Sequence, residues 1–142
     1  MPYLEWTKEL DTGIASIDAQ HRKLVEMVNV LHGAAGAAVC PAKEFVAGLK
    51  QYAAEHFHIE EGYMQCFGYP GYEAHLKEHE AFMQAVADLD ASCIRGEATT
   101  EAASAFLKRW LTEHIIDVDM EMSRFLAPHL LSTAEAATCI ED

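Results

Sequence analysis

The chain has 142 residues, 51% of them hydrophobic, and a formal net charge of −13. That length fits a single domain with a core of its own, and the excess of acids argues against nucleic acid and anionic membrane as partners, because both repel a negative surface. No apolar run reaches the roughly 18 residues of a transmembrane helix, and the opening MPYLEWTKELDTG has early acids and no basic-then-apolar segment, so no signal peptide is expected and a cytoplasmic location is the default.

Residues 1–16 read as an irregular arm. Tyr3, Leu4, Trp6, Leu10 and Ile14 lack one period but are too apolar to float free, so the arm is expected to lie across the rest of the molecule, with a turn at Asp11-Thr12-Gly13. A first helix is predicted over 17–33, with Ser16 or Asp18 as its cap. Ile17, Leu24, Met27 or Val28, and Leu31 recur at three-and-four spacing, and His21 falls on the same stripe.

The second helix is predicted over 42–66, introduced by Pro41, a residue suited to the first helical position. Its seam runs Phe45, Leu49, Tyr52, His56, Glu60, Tyr63, Phe67 and turns polar in the middle. Burying a carboxylate and an imidazole there is costly without partners or a metal. Phe67-Gly68-Tyr69-Pro70-Gly71 is a strong turn signal. A third helix over 71–94 follows, with Tyr72, His75, His79, Phe82 or Met83, Val86, Leu89 and Cys93 inward and Gly96 closing it. The fourth, over 100–127, turns Phe106, Trp110, Leu111, His114, Val118, Met122 and Phe125 inward and stops at Pro128, leaving a tail over 128–142. The fold class is therefore all-α, an up-down-up-down four-helix bundle in one domain. Cys40, Cys66, Cys93 and Cys139 show no C-x-x-C spacing and read as free thiols.

His56 with Glu60, and His75 with His79, lie four residues apart, which stacks each pair on one helix face. A lone histidine on an apolar stripe reads as a hydrogen-bonded core residue. Here all four helices carry one, and His21, His56, Glu60, His75, His79 and His114 together point to a metal site inside the bundle. Imidazole with carboxylate and no thiolate suits iron, zinc, manganese or copper. Asp119 lies five residues beyond His114, about 140° round a regular helix. Spacing alone reads it as a solvated aspartate like Asp117, unless a π-type widening turns it inward. His32, His58 and His129 read as bystanders.

Four stretches carry a family resemblance: IDAQHRKL at 17–24, HFHIEE at 56–61, HLKEH at 75–79 and HIIDVD at 114–119. In these the chain resembles the haemerythrins, and in particular the single-domain bacterial kind, from Trp6 to about Leu126. The resemblance implies two iron ions, one held by His75, His79 and His114 and the other by His21 and His56. Glu60 and Asp119, with an oxo or hydroxo oxygen, would bridge the two irons. Two octahedral irons so furnished keep one open position, on the iron with two imidazoles. The function implied is reversible dioxygen binding there, as a hydroperoxide, by an oxygen carrier, store or deliverer rather than an enzyme. By resemblance, Leu24, Phe57, Trp110, Leu111 and Ile115 would line the oxygen pocket. Each ligating imidazole should have its second nitrogen hydrogen-bonded by a partner the sequence does not name.

A five-histidine pocket carries less negative charge than a carboxylate-rich one, so it stabilises ferric iron less and favours reversible oxygen chemistry. The same site also suits delivery to an oxygen-consuming partner protein, or sensing and handling of oxygen, nitric oxide or peroxide. Sequence leaves these open, along with oligomeric state. Two remoter alternatives differ in chemistry. His75-Leu76-Lys77-Glu78-His79 matches the H-x-x-E-H of a zinc hydrolase, which requires Glu78 to face the metal. A ferritin-like iron oxidase needs two E-x-x-H motifs, and only Glu55-His56-Phe57-His58 has that spacing.

Overall fold

A computed structural model describes residues 3–33, 43–96 and 100–130. Helix α1 is Ala15–Gly33, α2 Lys43–Phe67, α3 Tyr72–Ile94, α4 Thr100–Glu113 and α5 Met120–Leu130. A six-residue π-helical segment, His114–Asp119, joins α4 to α5 without a break, so the three form the fourth rod of the bundle. No strand occurs among the described residues. Along the bundle α1 packs on α2 and α4, and α2 packs on α1, α3 and α5. The expectations for Pro41, Cys40, Cys139 and the tail beyond Leu130 fall outside the described residues, as do those for the side chains of Phe45 and Cys93.

The arm is tied down at several points. Leu4 and Leu10 are buried in the core. The Asn29 side chain accepts the Leu4 N–H at 2.7 Å and donates to the Leu4 carbonyl at 2.9 Å. Tyr3 stacks on His32 with ring centroids 3.6 Å apart, and the Arg22 guanidinium sits 4.7 Å over the Trp6 ring. Asp18 does not cap α1 in the manner expected, and neither does Ser16. The helix starts earlier, at Ala15, and the Asp18 carboxylate reaches back to accept the N–H groups of Thr12 and Gly13 and the Thr12 hydroxyl. Those bonds hold the preceding turn, where Gly13 takes φ +84°, a value that a side chain disfavours.

Two further readings need correction. Pro128 does not stop the last helix, which continues to Leu130. A proline there costs one helical hydrogen bond, and beside it the His129 ring stacks on Phe67 at 5.0 Å and lies tilted by 42° to Phe125 at 5.3 Å. Cys66 is not a free thiol: it is disulfide-bonded, a pairing that spacing alone does not reveal.

The core divides into two apolar clusters. One, on the arm side, includes Leu4, Leu24, Val28, Leu49, Phe57, Phe82, Val86, Leu107, Leu111 and Ile115. The other comprises Ile14, Ile17, Tyr63, Met64, Met122 and Leu126. Each rod that enters both clusters crosses a polar level between them: His21 follows Ile17, His56 and Glu60 precede Tyr63, and His114 and Asp119 precede Met122.

Candidate metal centre

That polar level is dry and crowded. His21, His56, Glu60, His75, His79, His114 and Asp119 are all buried, with Glu60 and Asp119 wholly removed from solvent. Their inward atoms crowd together. Asp119 Oδ2 is 3.0 Å from His21 Nε2, and Asp119 Oδ1 is 3.0 Å from His75 Nε2 and 3.1 Å from His114 Nε2. Glu60 Oε2 lies 3.0 Å from His56 Nε2, while Glu60 Oε1 lies 3.1 Å from His79 Nε2 and 3.3 Å from His75 Nε2. Each carboxylate thus turns one oxygen to each half of the cluster.

The grouping follows from helix geometry. His56 and Glu60 stack on α2 and His75 and His79 on α3 by their four-residue spacing. The π segment does the same for the awkward five-residue pair, with the N–H of Met120 bonding to the carbonyl of Ile115. The widened turn brings Asp119 under His114, so the inward reading of Asp119 describes its place and the solvated one does not.

Donor atoms fall into two overlapping sets, Glu60, His75, His79, His114 and Asp119 in one, His21, His56, Glu60 and Asp119 in the other, with each set's atoms within 4.8 Å of one another. The Nε2 atoms of His21, His75, His79 and His114, and all four carboxylate oxygens, are buried without a hydrogen-bond partner. Leaving so many buried polar atoms without a hydrogen-bond partner is costly for a plain core. Cations at the centre of each set would satisfy them, so the residues fit a two-metal site of nitrogen and oxygen donors. Without metal the cluster is held by its own charges. Burial pushes the His21 and His75 imidazoles down, but the oxygens of Asp119 and Glu60 raise them to about 10 and about 9. Burial pushes the Glu60 and Asp119 carboxyls up, yet the surrounding imidazoles hold both well below the carboxylate range.

Behind the inward nitrogens the partners differ. His56 Nδ1 donates to Gln20 Oε1 at 2.5 Å and His79 Nδ1 to Glu61 Oε2 at 2.8 Å. His114 Nδ1 is 3.9 Å from Glu78 Oε2, too long for a hydrogen bond. His21 Nδ1 and His75 Nδ1 are buried with no partner among the described residues. The expectation that every imidazole has such a partner therefore holds for two of the five. Gln20 and Glu61 escaped the sequence reading because neither lies on an inward stripe; each is merely the neighbour of one that does.

Of the five expected pocket residues, Leu24, Phe57, Leu111 and Ile115 are buried and Trp110 is partly buried. Leu24, Phe57, Trp110 and Leu111 line an apolar cavity with Val28, Leu49, Ala53, Phe82 and Leu107; Ile115 is not among its walls. Phe57 stacks on His79 at 3.8 Å and Trp110 on His114 at 4.4 Å, so the cavity abuts the imidazoles.

The remoter alternatives lose their geometry. Glu78 is half exposed and approaches His114 from its outer nitrogen, not from the cluster, so it cannot act on a metal held there. Glu55 and His58 are both exposed. His32, His58 and His129 belong to neither donor set.

Comparison with known proteins places the chain. The family described as Hemerythrin HHE cation binding domain matches it over residues 12–126. A bacteriohemerythrin of Pseudomonas paraeruginosa is 38% identical over 120 residues, covering 84% of this chain and 78% of that one. One from Stenotrophomonas maltophilia is 35% identical over 131 residues, covering 92% and 86%. Among solved structures, a wild-type hemerythrin crystal structure superposes with a TM-score of 0.76 at 31% identity, covering 88% of this chain and 98% of that one.

Proposed function

Because the chain belongs to the haemerythrin family, we propose that its buried cluster holds two iron ions and binds dioxygen reversibly. The observation that carries this reading is the pair of donor sets sharing Glu60 and Asp119, one with three imidazoles and one with two. When bound, the iron pair supplies two electrons and, on the two-imidazole ion, an open position for dioxygen.

Everything else is the work of the chain. His75, His79 and His114 would occupy one more position on their ion than His21 and His56 on the other, which would leave room for a ligand on the two-imidazole side. Glu60 and Asp119 each turn one oxygen to either side and would fix the distance between the ions. Phe57 and Trp110, with Leu24 and Leu111 in the same cavity wall, cover the His79 and His114 rings with apolar surface. That wall would keep water and the protons it carries away from the cluster.

Imidazole-rich, thiolate-free donors support iron over softer-ligand metals. The reading is tested by gas uptake: iron-loaded, reduced protein should take up one dioxygen per chain and return it under vacuum. Uptake that is not returned, with peroxide in solution, would exchange the binding role for an oxidase one.

A further inference from the structure

We propose that Glu61 positions His79 and makes the three-imidazole half of the cluster the tighter one, so that the first metal ion taken up lodges with His75, His79 and His114. This rests on the reading of the cluster as a two-metal site.

The His79 ring is held from both ends. Its Nδ1 donates to Glu61 Oε2 at 2.8 Å, and its Nε2 faces Glu60 Oε1 at 3.1 Å. With the proton on Nδ1, the Nε2 lone pair is left for a cation. Phe57 lies flat against the ring at 3.8 Å, with 7° between the planes, which leaves it little freedom to turn. A carboxylate accepting the outer N–H makes the imidazole a more basic ligand, and a charged acceptor bonds roughly twice as strongly as a neutral one.

The two halves differ in this respect. Among the described residues, what stands behind the two-imidazole half is a neutral amide, Gln20, on His56. Behind the three-imidazole half stand Glu61 on His79 and, at longer range, Glu78 near His114. Glu60 and Asp119 face both halves and cancel in the comparison. The outer carboxylates therefore add their negative charge where the imidazole count is already higher. Glu61 is 23% exposed and lines an open groove between α2 and α3 with Lys50, His58 and Glu80, so replacing it disturbs little packing.

The test is a cobalt(II) titration of the metal-free full chain against a competing chelator, resolving two dissociation constants. Glu61→Gln keeps an acceptor and removes its charge, and Glu61→Ala removes both. Relative to wild type the first constant should weaken about tenfold in the former and approach a hundredfold in the latter, with the second constant changed less than about twofold. Gln20→Glu should tighten the second constant instead. In proton spectra of the cobalt-loaded protein, the exchangeable Nδ1–H signal of His79 should shift in Glu61→Gln and exchange faster in Glu61→Ala, while that of His56 stays in place. Glu80→Gln, which removes a charge from the same groove without touching an imidazole, should match wild type. An unchanged first constant in Glu61→Ala, equal losses in both steps, or the same loss in Glu80→Gln would overturn the assignment. Wild type that binds fewer than two cobalt ions would overturn the two-metal reading itself, and this inference with it.

Discussion

At Glu60 and Asp119 the chain removes two carboxylates entirely from solvent, among imidazoles that are themselves buried. One partner lost from such a cluster leaves the others uncompensated. Glu60→Ala or Asp119→Ala should therefore drop iron from two ions per chain to one or fewer, measured by metal analysis of purified protein. Full iron content in both variants would refute their shared role. The pH dependence follows from the imidazoles. His21 and His75 stay protonated to about 10 and about 9 in the metal-free fold, above the 6.5 of a free imidazole. Their contribution to metal-free stability is thus complete below pH 6.5 and is lost as pH rises through 9 and 10. Glu60 and Asp119, held below 4.5 and 3.8, act in the opposite sense: their contribution is present above those values and disappears in acid. Metal ions require neutral imidazoles, so loading must expel these protons. Between pH 6.5 and 9 the apparent affinity for zinc or ferrous iron should rise about tenfold per pH unit for each proton released. Proton release on loading, followed with an indicator, checks this, and affinity independent of pH would contradict it.

Among the elements, the fourth rod is where regular periodicity misleads. Its expected stripe placed Val118, Met122 and Phe125 inward; Met122 is fully buried, but the extra residue in the His114–Asp119 turn shifts the register, so that Leu126 is fully buried and Val118 and Phe125 only partly. On the other three stripes the described residues, including His21, His56, Glu60, His75 and His79, were legible because those helices keep the ordinary period. Asp119 was legible only through the family resemblance, since no spacing rule forecasts a π segment. Gln20 and Glu61 were not legible at all: their partners lie on other helices, and only the packed bundle brings them within reach. The arm makes a separate prediction. Asn29 bonds both backbone groups of Leu4, and at about 1 kcal/mol per hydrogen bond Asn29→Ala should cost the metal-free protein about 1–3 kcal/mol in chemical denaturation. No change would mean that Leu4 and Leu10 anchor the arm by burial alone.

For the molecule as a whole, the polar level is a structural liability until it is filled. It separates two apolar clusters, one running from Leu4 to Ile115 and the other gathered around Met64 and Leu126. Ions that bind all four rods at this level would join the clusters into one body. Iron should therefore raise the unfolding temperature well above that of the metal-free chain, by the equivalent of about 4 kcal/mol where free metal exceeds its dissociation constant a thousandfold. A chelator that strips the iron should reverse the gain, and equal melting curves would refute the link. The oxygen-binding claim itself is tested most directly by anaerobic reconstitution with ferrous iron, followed by optical titration with dioxygen and its removal over repeated cycles. Two irons per chain, with a visible charge-transfer band that rises with oxygen and vanishes when it is withdrawn, is the predicted result. A band that never forms, or one that bleaches in the first cycle with peroxide released, would contradict the account.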